Sequence, residues 1–207
     1  MVDEKKLQLT IDRNEIRHVV AKSVLARDSG QWKELGECYH PDAKLTSSWF
    51  SGTAKEFLKV VEETRDVRRE GETQKHMTGN HWIEVSRNRA VAESDLILYQ
   101  RRIIEGLELD FTTWSRRLHL MEKREGDWKI WRRTAIYERD RMDPHNPEAV
   151  PEGFYSSMDL SKYPPQIRYH CWRNTLFGHP PSKNICLKGT EREKEVREEA
   201  RNWIEGK

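Results

Sequence analysis

Four consecutive segments with strand-like alternation, residues 75–85, 89–103, 107–123 and 128–138, dominate the middle of this 207-residue chain. Only short turns separate them, at Ser86-Arg87-Asn88, Glu105-Gly106 and Glu125-Gly126-Asp127. Long strands joined this tightly pair with their sequence neighbours, which predicts an antiparallel meander. What precedes it reads as helical. Asp12-Arg13-Asn14-Glu15 has the form of a capping box, and Ile16, Val19, Val20 and Val24 follow at helical spacing, predicting a helix over about 13–28. Trp32, Leu35, Cys38 and Tyr39 continue a short second helix ended by His40-Pro41, and Ala43 to Phe50 reads as a strand. A second capping box, Thr53-Ala54-Lys55-Glu56, opens a third helix that gives way to the charged stretch 65–72. Helices first and strands afterwards predict an α+β fold: a cone-shaped, curved antiparallel sheet (an α+β barrel) with helices packed on its concave face.

After about Asp140 the composition turns to proline, asparagine and histidine, as in Asp143-Pro144-His145-Asn146-Pro147, Tyr163-Pro164-Pro165 and His179-Pro180-Pro181. Prolines at this density argue against regular strand or helix, so an extended arm is expected. A third capping box, Thr190-Glu191-Arg192-Glu193, then opens a terminal helix with Val196, Ala200, Trp203 and Ile204 on one stripe, suited to docking on the domain or on a partner subunit. The expected organisation is a barrel domain over 10–140 and a proline-rich arm with a C-terminal helix over 141–207.

Thirty-seven basic against 35 acidic residues leave a net charge of +2, so no global field draws the chain to nucleic acid or an anionic membrane. No stretch approaches the roughly 18 apolar residues of a membrane span, and the N-terminus lacks a signal-peptide core. Cys38, Cys171 and Cys186 form neither a C-x-x-C pair nor an even framework. A soluble, cytoplasmic protein is expected. His145, His170 and His179 lack metal-ligand spacing, so no metal site is expected.

Asp28, at the end of the first helix, and His76, at the start of a strand, carry the chemistry. A carboxylate that orients an imidazole lets it take up a proton near neutral pH without a metal. The alternative reading makes Asp28 a turn residue beside Ser29-Gly30 and His76 a strand-edge histidine. Five tryptophans fall on predicted strands, Trp49, Trp82, Trp114, Trp128 and Trp131, where they could line a cavity for a flat apolar ligand or simply pack. Asn80, Tyr99 and His119, with Asp95 and Asp110, are further polar positions able to contact substrate.

Asp28, Asp42-Ala43, His76-x-x-x-Asn80 and Gly126-Asp127-Trp128-Lys129-Ile130, in that order, resemble the SnoaL-like branch of the nuclear-transport-factor-2-like superfamily over residues 10 to 140. The pattern is most similar to that of the hexachlorocyclohexane dehydrochlorinases, with scytalone dehydratase and the bile-acid dehydratases more distant. The resemblance implies a cofactor-free lyase in which His76 is the general base, Asp28 its orienting carboxylate, and Arg133, five residues after Trp128, a stabiliser of developing negative charge. Arg132 competes with Arg133 for the inward position unless a bulge intervenes. The resemblance also implies a homodimer or higher homo-oligomer through the outer face of the sheet. Two departures stand out: Ser23 occupies the place of the family's lysine or tyrosine, and Leu45 that of a tryptophan.

Such a set supports loss of water or halide from an aromatic or cyclic apolar molecule, or loss of a small carbonyl such as formaldehyde by retro-aldol cleavage. Two other classes stay open: an isomerase or cyclase on the same fold, and a non-catalytic ligand-binding or dimerisation module.

Overall fold

The computed structural model describes residues 3–64 and 69–207; part of the charged stretch 65–72 lies outside them. The first helix, α1 (Glu4–Ser29), begins nine residues earlier than the capping-box pattern predicts. Asp3 is its N-cap, accepting hydrogen bonds from the backbone N–H groups of Lys5 and Lys6, and Gly30 closes it at φ 69°. Asp12 is therefore not a cap. It is buried mid-helix, where its Oδ1 accepts from Trp128 Nε1 (2.8 Å) and Lys123 Nζ (2.9 Å) and so ties α1 to the sheet.

After α2 (Trp32–Glu37) comes β1 (Tyr39–Thr46), which starts before the predicted Ala43 and runs through Pro41. Proline fits there because the β1 pairing is interrupted between Tyr39 and Lys44, so its missing N–H breaks no ladder bond. β2 (Ser51–Thr53) and α3 (Ala54–Glu63) follow, and Thr53 and Glu56 form the predicted capping box. The meander is β3 (Thr73–Ser86), β4 (Arg89–Ile104), β5 (Leu107–Arg124) and β6 (Asp127–Pro144). Positive φ at Glu105-Gly106 and Glu125-Gly126 gives those two turns the backbone that two-residue hairpins need.

The sheet is curved and unclosed, in the order β2-β1-β6-β5-β4-β3. It is not wholly antiparallel, for β1 and the two-residue β7 (Cys186–Leu187) both pair with β6 in parallel. Three single-residue bulges set its inner face. Asn80 is the extra residue of β3, and Trp131 and Glu138 are the extra residues of β6. Each bulge reverses the alternation. In β6, Trp128 and Ile130, then Arg133, Ala135 and Tyr137, then Met142 are consequently buried on one side. The contest between Arg132 and Arg133 is settled by the Trp131 bulge: Arg133 is buried inside, while Arg132 ion-pairs with Glu199 on the outer side.

α1, α2 and α3 pack on the inner face through Ile16, Val20, Leu35, Phe57 and Val61, against Ala90, Ala92, Met121, Trp128 and Ile130. The arm departs from expectation by forming regular structure. Pro147 and Pro165 sit in the first turns of short 3₁₀ helices, where no N–H is needed, and the proline-free run between them and His179 makes α4 (Arg168–Leu176). α4 lies over the inner face, with Ile167 and Cys171 packed on Ala135 and Tyr137. α5 (Glu191–Glu205) covers the opposite face, burying Val196, Ala200 and Trp203 against Leu118, Leu120 and Ile136. Its predicted cap is replaced: Thr190 Oγ1 donates to the Leu187 carbonyl, and Glu193 instead accepts from the Gly189 N–H.

Because Asp12 is the buried polar anchor between α1 and the sheet, Asp12→Ala leaves a lysine and an indole N–H without their acceptor. The expected loss is about 2 kcal/mol, read as a lower urea-unfolding midpoint; an unchanged midpoint contradicts the role.

Candidate active site

The last turn of α1 meets β3 at Asp28 and His76. His76 Nδ1–H donates to Asp28 Oδ1 at 2.6 Å, and the His76 backbone N–H donates to Asp28 Oδ2, also at 2.6 Å. With both carboxylate oxygens engaged by one residue, the hydrogen-bond pattern assigns the ring proton to Nδ1 and leaves Nε2 as the acceptor of a long hydrogen bond from Arg27. Arg27 Nη1 stands 3.4 Å from that Nε2.

Burial, and after it the Arg27 guanidinium, push the His76 imidazole down to about 4, against the opposing pull of Asp28. Burial acts on Asp28 in the other direction, yet the hydrogen bonds from His76 hold its carboxyl below the usual range. The pair at pH 7 is a carboxylate and a neutral base.

His76 opens into a cavity of about 210 Å³ that Arg27, Trp32 and Trp49 also line. The arm closes one side of it with His170, Arg173, Asn174, Phe177 and His179. Trp49 holds His179 against it, with ring centroids 4.9 Å apart. His170 is buried and bonded on both nitrogens. Arg173 Nη2 can only donate, so His170 Nδ1 accepts from it (3.1 Å) beside Thr113 Oγ1 (3.0 Å), while Nε2 lies 2.6 Å from Ser48 Oγ and 3.1 Å from Asn174 Nδ2. Burial, then Arg173, keep that imidazole well below its ordinary value and hence uncharged.

Deeper in the fold, Arg133 Nη1 donates to the Tyr39 hydroxyl (2.9 Å), and its guanidinium lies 4.7 Å from the Phe57 ring centroid. Arg27 shares that ring at 5.3 Å, so α3 bridges the two arginines. Arg133 is not part of the cavity wall itself. Nor is His119, which is buried, donates from Nδ1 to the Ala92 carbonyl (3.3 Å), and is pushed down to about 3 by burial and then Arg133. The Tyr137 hydroxyl accepts from the Ser48 N–H (3.1 Å); although burial opposes it, Arg117 and this bond bring the phenol below its usual range.

The other expected contacts are spread apart. Asn80 is exposed on its bulge, at φ 47°, and donates to Asp95 Oδ2 (2.8 Å), while Asp110 pairs with Arg101. Tyr99 faces the outer side, and Trp82 is 69% exposed. Trp114 stacks under Arg139 (4.2 Å), Trp131 on Trp203 (4.2 Å), and Trp128 serves Asp12. Of the five strand tryptophans only Trp49 reaches the cavity. Ser23 is buried and spends its hydroxyl proton on the Val20 carbonyl (2.8 Å). Among the described residues no group of three His, Cys, Asp or Glu side chains is placed to hold a metal ion.

Arg27, Trp32, His170, Arg173 and Asn174 were not among the residues singled out from sequence. The signal was present in His170-x-x-Arg173-Asn174, the i, i+3, i+4 spacing of one helix face, but proline density around it masked the helix.

A family model described as a SnoaL-like domain matches residues 8–134. The chain is 26% identical over 207 residues to pea pathogenicity protein 2 of Fusarium vanettenii, covering 96% of this chain and 88% of that one. Among solved structures, a hexachlorocyclohexane dehydrochlorinase from Novosphingobium barchaimii superposes with TM-score 0.58 at 19% identity, over 70% of this chain and 99% of the other. A putative scytalone dehydratase from Novosphingobium aromaticivorans gives 0.54 at 19% identity, over 69% and 97%. At these identities the two structures establish the shared fold.

In an NMR pH titration His76 is expected to protonate near 4 rather than 6.5, and Arg27→Met to raise that midpoint by removing a repelling cation. The unfolded chain takes up this proton first, so the histidine's contribution to stability declines as pH falls below about 6.5. A midpoint near 6.5 in the folded protein overturns the assignment.

Proposed function

The chain belongs to the SnoaL-like domain family, and on that premise we propose that it is a cofactor-independent lyase acting on a cyclic or aromatic small molecule. The observation that carries the reading is the His76–Asp28 pair: an imidazole oriented through Nδ1 at 2.6 Å in the wall of a partly enclosed cavity.

In this reading Asp28 holds the ring and stabilises the imidazolium as it forms, while Nε2 takes a proton from carbon or from a hydroxyl. Arg27, 3.4 Å from Nε2, meets the negative charge as it develops, and Arg133 adds to the field from behind Phe57. Trp32 and Trp49 offer flat apolar walls for a ring. The cavity is below the roughly 300–1,000 Å³ of drug-sized sites, so the substrate is small. Since the Ser23 hydroxyl is committed to the helix backbone, the leaving group is either one that departs without protonation or one served by another donor.

His76→Ala and Asp28→Asn are each expected to lower kcat by about a hundred- to ten-thousand-fold, the range of general base catalysis, with the folded far-UV spectrum kept. Turnover unchanged in His76→Ala refutes the reading. Mass spectrometry of the product decides between elimination, which loses water, halide or formaldehyde, and isomerisation, which conserves mass.

A further inference from the structure

Cations and anions are unevenly divided in the interior. Arg27, Arg117, Arg133 and Arg173 all face inward, and among the described residues none of them has a carboxylate within ion-pair distance. A buried guanidinium left with neutral partners costs several kcal/mol, so Arg117, Arg133 and Arg173, with half-buried Arg27 beside them, call for a compensating anion.

Arg173 is the one of the four that the arm delivers to the cavity. It is 2% exposed, its Nη2 donates only to neutral acceptors, Asn174 Oδ1 (2.8 Å) and His170 Nδ1 (3.1 Å), and its Nη1 is buried with no partner. Asp140 is the nearest interior carboxylate in influence, but it caps the start of α4, accepting from the His170 N–H at 2.7 Å. Arg102 lines the same cavity and ion-pairs with Glu72 at 3.5 Å. Leu98 and Phe177 supply apolar wall beside the two guanidiniums.

We infer that the arm-side end of the cavity is a carboxylate subsite centred on Arg173, and that the substrate is an aryl or cyclic compound bearing a carboxylate. The inference rests on the lyase reading for the word substrate, and on the unpaired guanidinium alone for the ligand's charge. A carboxylate gives Arg173 the charged acceptor that the fold withholds, and it fixes the ring so that its reactive position lies towards His76 in the same cavity. Arg173 is thereby a specificity-determining residue. The arm confers it, for α4 is built from residues beyond the matched family segment 8–134.

The test compares two probes of equal shape, 3-phenylpropanoate and 3-phenylpropanamide, by calorimetry on the full-length protein. The acid is expected to bind at least tenfold more tightly than the amide, with an affinity that weakens as salt rises. Arg173→Gln is expected to bring the two within about threefold, and Arg173→Lys, which keeps the charge and guards against a folding defect, to keep part of the preference. Equal affinity in the wild type, no binding of either probe, or a preference untouched by Arg173→Gln each overturns the subsite. Binding is read without turnover. A lost preference therefore leaves the His76 reading standing, and an inactive-base result leaves the subsite standing.

Discussion

One extra residue at each of three points in the sheet decides what this protein can hold inside. Without the bulges at Asn80, Trp131 and Glu138, strict alternation would turn part of each strand away from the core. In β3 the bulge keeps His76 and Ile83, seven residues apart, on one side. In β6 the first bulge brings Arg133 in behind Ile130, and the second keeps Met142 inside after Tyr137. The outer face gains equally. Trp131, the extra residue itself, stacks on Trp203 and anchors the terminal helix.

Charge follows from that geometry. A sheet face carrying Arg117, Arg133, His119 and Tyr137, roofed by helices bearing Arg27, Asp28, His170 and Arg173, concentrates guanidiniums where water is scarce. The same burial that makes those cations costly keeps His76, His119 and His170 uncharged. One carboxylate, Asp28, is bound to one of these histidines, and this asymmetry sets His76 apart among three buried imidazoles.

The contact between Asp28 and His76 was expected only through the family resemblance carried by the order of Asp28, Asp42-Ala43, His76-x-x-x-Asn80 and Gly126–Ile130, since Asp28 before Ser29-Gly30 reads locally as a turn residue. The meander was legible locally, two of its three turns being written as Glu-Gly pairs. The arm was not. Its prolines suggested continuous extended chain, yet they fall at the starts of short turns and between elements, and leave Arg168–Leu176 free to coil. Asp12 misled for a related reason: a carboxylate near a helical pattern looks like a cap until a distant Trp128 and Lys123 claim it.

Sequence by itself determined the order of helices and strands and the meander, since these rest on periodicity and on residues a few positions apart. Tertiary structure decided which of two neighbouring arginines faces inward, which tryptophan walls the cavity, and that the arm delivers Arg173 to it. Those outcomes depend on single-residue shifts in register and on contacts across more than a hundred residues, and neither leaves a local trace: the side chain is the same whichever way the strand turns it.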